Sequence, residues 1–326
     1  MNILILSAGT RNKVVQYFKN TAKEGDRVIA TDCSNLAPAV YDADAFYLVP
    51  RISDPNYIDI ILDICKKEQI GGVFSLIDPE LSLLAKERDR FLQIGVTPIV
   101  SPYELTEICF NKFKMYEFLN KKGILTGKCY TSKESFFEAK SKGDIEYPAF
   151  VKPICGSASI NINKVTSDEE IEVLFNLYDD LMVQEYMNGQ EYGVDLYVDL
   201  ISGKCTSLFM KKKIKMRAGE TDKSVSVIIP QLADMLSSFA EDAGFRGMID
   251  IDIFEVNGEF YLSEVNPRFG GGYPHAYECG VNMPASVWNN LKGVPNEDTK
   301  GNYKTGICMM KYNELKIMEL SEDQII

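Results

Sequence analysis

Histidine occurs once in this chain, at His275, and none of the eight cysteines (Cys33, Cys65, Cys109, Cys129, Cys155, Cys205, Cys279, Cys308) has a partner at Cys-x-x-Cys spacing. A zinc site is therefore unsupported, and reduced, mostly buried thiols are expected. Long apolar runs are missing too, and Met1 leads straight into the strand-like Asn2-Ile3-Leu4-Ile5-Leu6-Ser7 with no basic segment before it. The expectation is a cytoplasmic protein without a membrane anchor. Positive charge is in deficit, 35 Lys and Arg against 47 Asp and Glu for a net charge of −12, which argues against a nucleic-acid partner. Lys211-Lys212-Lys213, with Lys215 and Arg217, is the local exception, read either as a solvated strand or loop or as a face for an anionic ligand. The dinucleotide fingerprint G-x-G-x-x-G and the G-x-x-x-x-G-K-[ST] phosphate loop are both absent, which removes the main support for a nicotinamide dehydrogenase or a P-loop enzyme.

What is present is organised. The 326 residues exceed one ordinary hydrophobic core, so two or three packed domains are expected. Apolar runs at 3–6, 28–31, 45–49, 72–76 and 96–100 alternate with helical spacing at 12–19, 57–67 and 80–91, the rhythm of a parallel βαβ sheet. Ligands of such sheets bind beyond the carboxyl ends of the strands, which here carry Gly9 and Arg11, Asp32, and Asp78 and Glu80. A helix at 111–122 closes on Gly123, and a smaller unit over 128–184 follows, with strands at 149–152, 160–165 and 181–184 and a helix at 168–178. The remainder reads as strands 192–200 and 205–210, a helix at 230–243, and a hairpin of 247–254 with 259–265 about Asn257-Gly258. Domain bounds of 1–109, 110–184 and 185–326 follow.

Three clusters carry chemistry. Period-2 alternation places Asp250 and Asp252 on one face of their strand, opposite Glu264 and Asn266 on the next, an oxygen-rich set suited to magnesium; a polar hairpin edge is the alternative. Arg268 follows on the same side, able to neutralise a transferring phosphoryl group, and Gly270-Gly271-Gly272 lets backbone approach a ligand. Lys152 ends a strand and precedes the small-residue loop containing Gly156, Ser157 and Ser159, an arrangement for phosphate oxygens or simply a surface turn. The run Gln184-Glu185-Tyr186-Met187 leads to Glu191 and offers main-chain groups to an adenine edge and a carboxylate to ribose, unless it is only a connecting strand.

In this order the pieces resemble the ATP-grasp superfamily, and within it the proteins like the carbamoyl-phosphate-synthase large subunit. The resemblance rests on Asn111-Lys112, Val151-Lys152-Pro153, Gln184 to Met187 with Glu191, and Asp250 with Glu264-x-Asn266-Pro267-Arg268. It implies an α/β fold in which an N-terminal parallel βαβ pre-ATP-grasp domain precedes a two-subdomain α+β grasp. It also implies that Lys112 and Lys152 contact ATP phosphates and that Glu185 and Met187 meet adenine. Glu191 would hold ribose, Asp250, Glu264 and Asn266 would hold magnesium or manganese, and Arg268 would stabilise the phosphoryl group. Departures from the family pattern are Asn111, Gln184, Ala158 and Asn161.

The function this implies is an ATP-dependent carboxylate–amine ligase working through an acyl-phosphate on small-molecule substrates, with no nucleic acid or membrane partner and with a homodimer open. Gly9, Arg11, Asp32, Asp78, Glu80, Lys213, Arg217 and Glu220 are candidates for an acceptor pocket. Two alternatives stand beside it: carboxyphosphate or carbamate chemistry of the carbamoyl-phosphate-synthase kind, and a nucleotide-binding regulatory module without catalysis, favoured only by Ala158 and Asn161.

Overall fold

The computed structural model describes residues 1–156 and 162–320. The first unit alternates strand and helix: β1 (Asn2–Leu6), α1 (Asn12–Thr21), β2 (Arg27–Asp32), β3 (Ala45–Leu48), α2 (Tyr57–Lys67), β4 (Ile70–Ser75), α3 (Asp78–Lys86), α4 (Arg88–Gln93) and β5 (Thr97–Pro98). All five strands pair in parallel, in the order β3-β2-β1-β4-β5. Both faces are covered, so β1 is apolar at every turn of the pleat. Ile3 and Ile5 face one layer, while Leu4 and Leu6 face the layer of α2 and α3. The helix expected over 80–91 is two helices, broken at Glu87, and the expected strand 96–100 shrinks to two residues.

Next come α5 (Tyr103–Phe110) and α6 (Lys112–Lys121), the latter capped by the Asn111 side chain on the Lys114 N–H and closed by Gly123 in left-handed geometry. A small antiparallel sheet follows in the order β6-β9-β7-β8, from β6 (Cys129–Tyr130), β7 (Ala149–Pro153), β8 (Asn163–Val165) and β9 (Leu181–Glu185). The helices α7 (Lys133–Ser141) and α8 (Asp168–Leu177) pack on it around Phe136, Ala149, Val151 and Ile171. Neither α5 nor α7 was expected, because eight or nine residues carry little more than two turns of apolar pattern. Ser157, Ala158, Ser159 and Asn161 lie outside the described residues, as does the start of the strand expected from residue 160.

The large sheet has six strands in the order β14-β13-β10-β11-β12-β15. They are β10 (Gln190–Val198), β11 (Cys205–Arg217), β12 (Glu220–Val227), β13 (Gly247–Val256), β14 (Glu259–Asn266) and β15 (Cys308–Met310), with α9 (Pro230–Ala243) crossing between β12 and β13. The β13–β14 turn takes positive φ at both Asn257 and Gly258, as expected of a two-residue hairpin. The lysine run does not end a strand at 210; β11 continues to Arg217 and pairs with β12, which sequence reasoning missed.

Two further helices, α10 (Tyr273–Glu278) and α11 (Met283–Leu291), return to the first unit and close its second face. Tyr17 stacks on Tyr277 with ring centroids 3.6 Å apart, and the Trp288 indole donates to the Phe18 carbonyl at 3.3 Å. Each fully buried aromatic or aliphatic side chain here contributes roughly 1.5–3 kcal/mol. Leu291 packs directly onto the backbone of Gly72, since a Cβ there would stand 2.6 Å from its methyl groups. Among the described residues no helix is long and apolar enough to cross a membrane.

His275 ties α10 to the sheet edge: its Nδ1 lies 2.8 Å from Ser224 Oγ and its Nε2 3.0 Å from the Ile307 carbonyl. Burial and the Lys211 ammonium hold the imidazole neutral, with its pKa lowered to about 4. The unfolded chain takes up a proton near 6.5 that the native state refuses, so stability is full above pH 6.5 and falls as pH drops toward 4. Chemical denaturation of the native protein and of His275→Gln across pH 7.5 to 4 is expected to show the native protein losing up to roughly 3 kcal/mol more than the variant. Parallel pH profiles would refute this.

Candidate active site in the cleft between the three sheets

Antiparallel pairing of β13 with β14 sets Asp250 opposite Asn266 and Asp252 opposite Glu264. Because side chains alternate across a strand, all four project to one face. That face forms the floor of a cleft of about 450 Å³. Lys152 and Gly156 come to it from the small sheet, Lys112 from the start of α6, and Arg11 and Asp78 from the carboxyl ends of the parallel strands.

The charges in the cleft are unevenly paired. Arg268 is clamped from both sides, its Nε 3.0 Å from Asp78 Oδ1 and its Nη1 3.4 Å from Asp250 Oδ2. Burial works against that guanidinium charge, but Asp78 and Asp250 outweigh it and raise its pKa. Lys213 Nζ lies 2.7 Å from Glu191 and 2.6 Å from Asp252, and these carboxylates raise its pKa against the opposing effect of burial. Lys152 and Glu264 have no such partners: among the described residues neither makes a hydrogen bond or ion pair through its side chain. Burial lowers the pKa of the Lys152 ammonium and raises that of the Glu264 carboxyl, with only more distant charges opposing. Unsatisfied buried charge is costly, and its concentration in a cleft marks a place built for a charged ligand.

The cleft brings together Lys112, Lys152, Gly156, Asp250, Glu264, Asn266 and Arg268, together with Arg11, Asp78, Lys213 and Glu220 of the candidate acceptor set. It does not bring in the others. Gly9 donates its N–H to Asp32 at 2.8 Å, so those two residues brace each other. Glu80 is buried and accepts from the Tyr57 and Ser75 hydroxyls. Arg217 sits half-exposed at the β11–β12 turn, 3.3 Å from Asp222. Gln184 is buried between β6 and β7, while Glu185 accepts from the Lys128 N–H at 3.0 Å. The Tyr186 ring lies against Phe150 and under the Lys164 ammonium, 4.0 Å away. These residues, Met187 and Glu191 lie outside the lining of the cleft, along β9 and its continuation into β10.

Sequence reasoning missed the buried pair of Lys211 and Asp195, which lies on the same face of the sheet beside Asp250 and against Gly272. The signal was available: strand alternation through Lys211-Lys212-Lys213 turns the first and third lysines inward, and Asp195 interrupts the apolar run from Val194 to Val198. Glycines complete the floor, because a Cβ on Gly270 would stand 2.4 Å from the Asp250 carboxyl carbon, and one on Gly272 2.5 Å from Lys211 Cε.

The donor set fits a hard cation. Asp250 and Glu264 supply carboxylates and Asn266 an amide oxygen that makes no hydrogen bond among the described residues. No three His, Cys, Asp or Glu among the described residues stand close enough to bind a metal by themselves. Two carboxylates and an amide oxygen are donors that magnesium accepts, the rest of its shell being left to water and phosphate.

Comparison with known proteins agrees with this geometry. A family described as the PylC-like N-terminal domain matches residues 3–99, and one described as ATP-grasp in the biosynthetic pathway with Ter operon matches residues 178–314. The arginine-specific carbamoyl phosphate synthase large chain of Bacillus subtilis is 22% identical over 274 residues, covering 78% of this chain and 25% of its own length. The 3-methyl-D-ornithine–L-lysine ligase of Methanosarcina barkeri is 22% identical, covering 80% of this chain and 66% of its own. Among solved structures, the biotin carboxylase domain of Hydrogenobacter thermophilus 2-oxoglutarate carboxylase, in complex with MgADP, ADP and bicarbonate, superposes with a TM-score of 0.74 at 14% identity. It covers 94% of this chain and 73% of that one. Fold and cleft therefore define an ATP-grasp protein. Within that superfamily the chain is similar to the carbamoyl-phosphate-synthase large chain, of which it spans about a quarter of the length.

Since the Lys152 ammonium is buried without a partner, Lys152→Met is expected to leave the ligand-free melting temperature unchanged or raised. A loss of more than about 1 kcal/mol in thermal unfolding would mean that the ammonium stabilises the fold.

Proposed function

We propose that the protein is an ATP-dependent carboxylate–amine ligase whose reaction centre is the 450 Å³ cleft. The observation that carries this reading is the unpartnered Lys152 and Glu264 facing each other across it, a cation for phosphate oxygens and an anion for the metal that accompanies them. ATP-grasp membership supports the nucleotide, and the MgADP bound to the oxoglutarate carboxylase neighbour supports magnesium, with manganese as a substitute. The Methanosarcina relative, by its name, joins two amino acids, which favours ligation over carboxyphosphate chemistry.

In this mechanism Lys112, Lys152 and Gly156 hold the ATP phosphates. Asp250, Glu264 and Asn266 would hold magnesium, which when bound would neutralise phosphate charge. Main-chain groups of Glu185 and Met187 meet adenine; Glu191, with one oxygen on Lys213, presents the other to ribose. A substrate carboxylate oxygen attacks the γ-phosphorus and the bond to ADP breaks, giving an acyl-phosphate. The amine then attacks the acyl carbon, loses a proton, and inorganic phosphate leaves. Arg268 is held by Asp78 and Asp250 at the edge of this space, where its guanidinium neutralises the transferring phosphoryl group as the clamp loosens. The carboxylate enters from the side of Arg11 and Asp78.

The eight cysteines are all unpaired, in keeping with a reducing compartment such as the cytoplasm. The neighbouring carboxylase domain is described as a dimer, and we infer a homodimer here, testable by sedimentation.

Magnesium-dependent ADP release on a panel of carboxylates and amines, with mass spectrometry of the product, tests the whole reading. Glu264→Gln is expected to lower turnover by about a hundredfold or more. Full magnesium-dependent turnover in that variant would remove Glu264 from the site.

A further inference from the structure

A second cavity, about 950 Å³, lies beyond the cleft, between α1 and residues 307–316. Arg11, Glu220 and Gly271 line both spaces, so these residues form the passage between them. The passage is an ion pair: Arg11 Nη1 lies 2.7 Å from Glu220 Oε1, while Lys311 Nζ holds the other Glu220 oxygen at 2.8 Å. The pair rests on bare backbone, because a Cβ on Gly271 would stand 2.6 Å from both the Arg11 guanidinium and the Glu220 carboxyl carbon.

The far walls are apolar. Tyr17, Leu36, Ile307, Met309, Met310 and Tyr312 line them, and Leu36, Met310 and Tyr312 are more than half exposed with nothing covering them. The outer wall is fastened at both ends, by Lys311 on Glu220 and by Lys316, whose Nζ lies 2.6 Å from Asp42 and 5.9 Å from the centre of the Tyr41 ring. Charged groups on the rim are largely engaged: Asp42 accepts from Asn12, Gln16 and Lys316, and Glu278 from the Tyr17 hydroxyl. Glu314 likewise accepts from the Tyr312 hydroxyl, so among these lining carboxylates only Asp42 is neutralised by a cation, while Glu278 and Glu314 each meet a phenol.

We propose that this cavity binds the carboxylate substrate of the ligase and that this substrate is an α-amino acid with an apolar side chain, a proposal that rests on the ligase reading. An α-ammonium and an α-carboxylate sit on one carbon, so a zwitterion can enter the Arg11–Glu220 pair and replace one ion pair with two. Its carboxylate then lies on Arg11, facing the phosphates, and its ammonium on Glu220, while the side chain extends among Tyr17, Met309 and Met310. The volume suits a small-molecule site. Each methylene buried there strengthens binding by about fourfold.

Calorimetric titration of the full chain tests this without turnover, in the presence of magnesium and a non-hydrolysable ATP analogue. Leucine, methionine and phenylalanine are expected to bind at least tenfold more tightly than lysine or glutamate, and leucinamide to bind much more weakly than leucine. Arg11→Ala is expected to weaken leucine at least tenfold. Met309→Trp, which fills the cavity, is expected to abolish leucine binding while leaving affinity for the ATP analogue as it was. Equal affinity across the panel, or leucine binding untouched by both substitutions, would overturn the proposal. Binding of the ATP analogue, measured alone in the same titrations, reports on the ligase reading separately, so failure of the amino-acid arm leaves that reading standing.

Discussion

The register between β13 and β14 is the constraint on which the rest of the cleft depends. One residue of slip would send Asp250, Asp252, Glu264 and Asn266 to the opposite face of the sheet and leave Lys152 facing apolar side chains. The register is fixed locally by the Asn257-Gly258 turn and from the other side by β10, whose nine paired residues run from Gln190 against Glu255 to Val198 against Gly247. The turn and the central strand thus fix the position of the same four side chains from opposite directions.

Much of this was legible before the coordinates. Strict alternation in Gly-Met-Ile-Asp-Ile-Asp-Ile-Phe and a two-residue hairpin turn leave one way to arrange the carboxylates, and the parallel sheet follows from a repeating rhythm of strand and helix. The pairing of charges was not legible. Arg268 meets Asp78, 190 residues earlier, and Arg11 meets Glu220, contacts that depend on how the sheets pack and leave no periodic trace in the chain. Glu80 shows the converse failure: placed at a strand end like a ligand-binding residue, it is turned inward by the hydroxyls of Tyr57 and Ser75. Short elements such as α7 and β15 were lost because three to nine residues carry too few periods to stand out from loop.

The electrostatic organisation follows one rule. Most charges in and beside the cleft are already paired, as in Lys213 with Glu191 and Asp252, Arg268 with Asp78 and Asp250, or Lys211 with Asp195. Lys152 and Glu264 are not. Fold stability and ligand affinity thus draw on different charges, and the unpaired ones contribute only when a ligand supplies the missing partner.

The return of α10 and α11 to the parallel sheet has a consequence for how this architecture can be recombined. Trp288 and Leu291 arrive from the far end of the chain to cover Phe18 and Gly72, so the first hundred residues borrow one of their two lids from the last fifty. A chimera that exchanges the N-terminal segment with that of a relative, cutting at the boundary suggested by chain order, would carry the sheet away without its cover and leave Tyr277 and Trp288 bare on the acceptor. The unit of exchange is discontinuous, and a graft that respects it must take both helices along with the sheet they close.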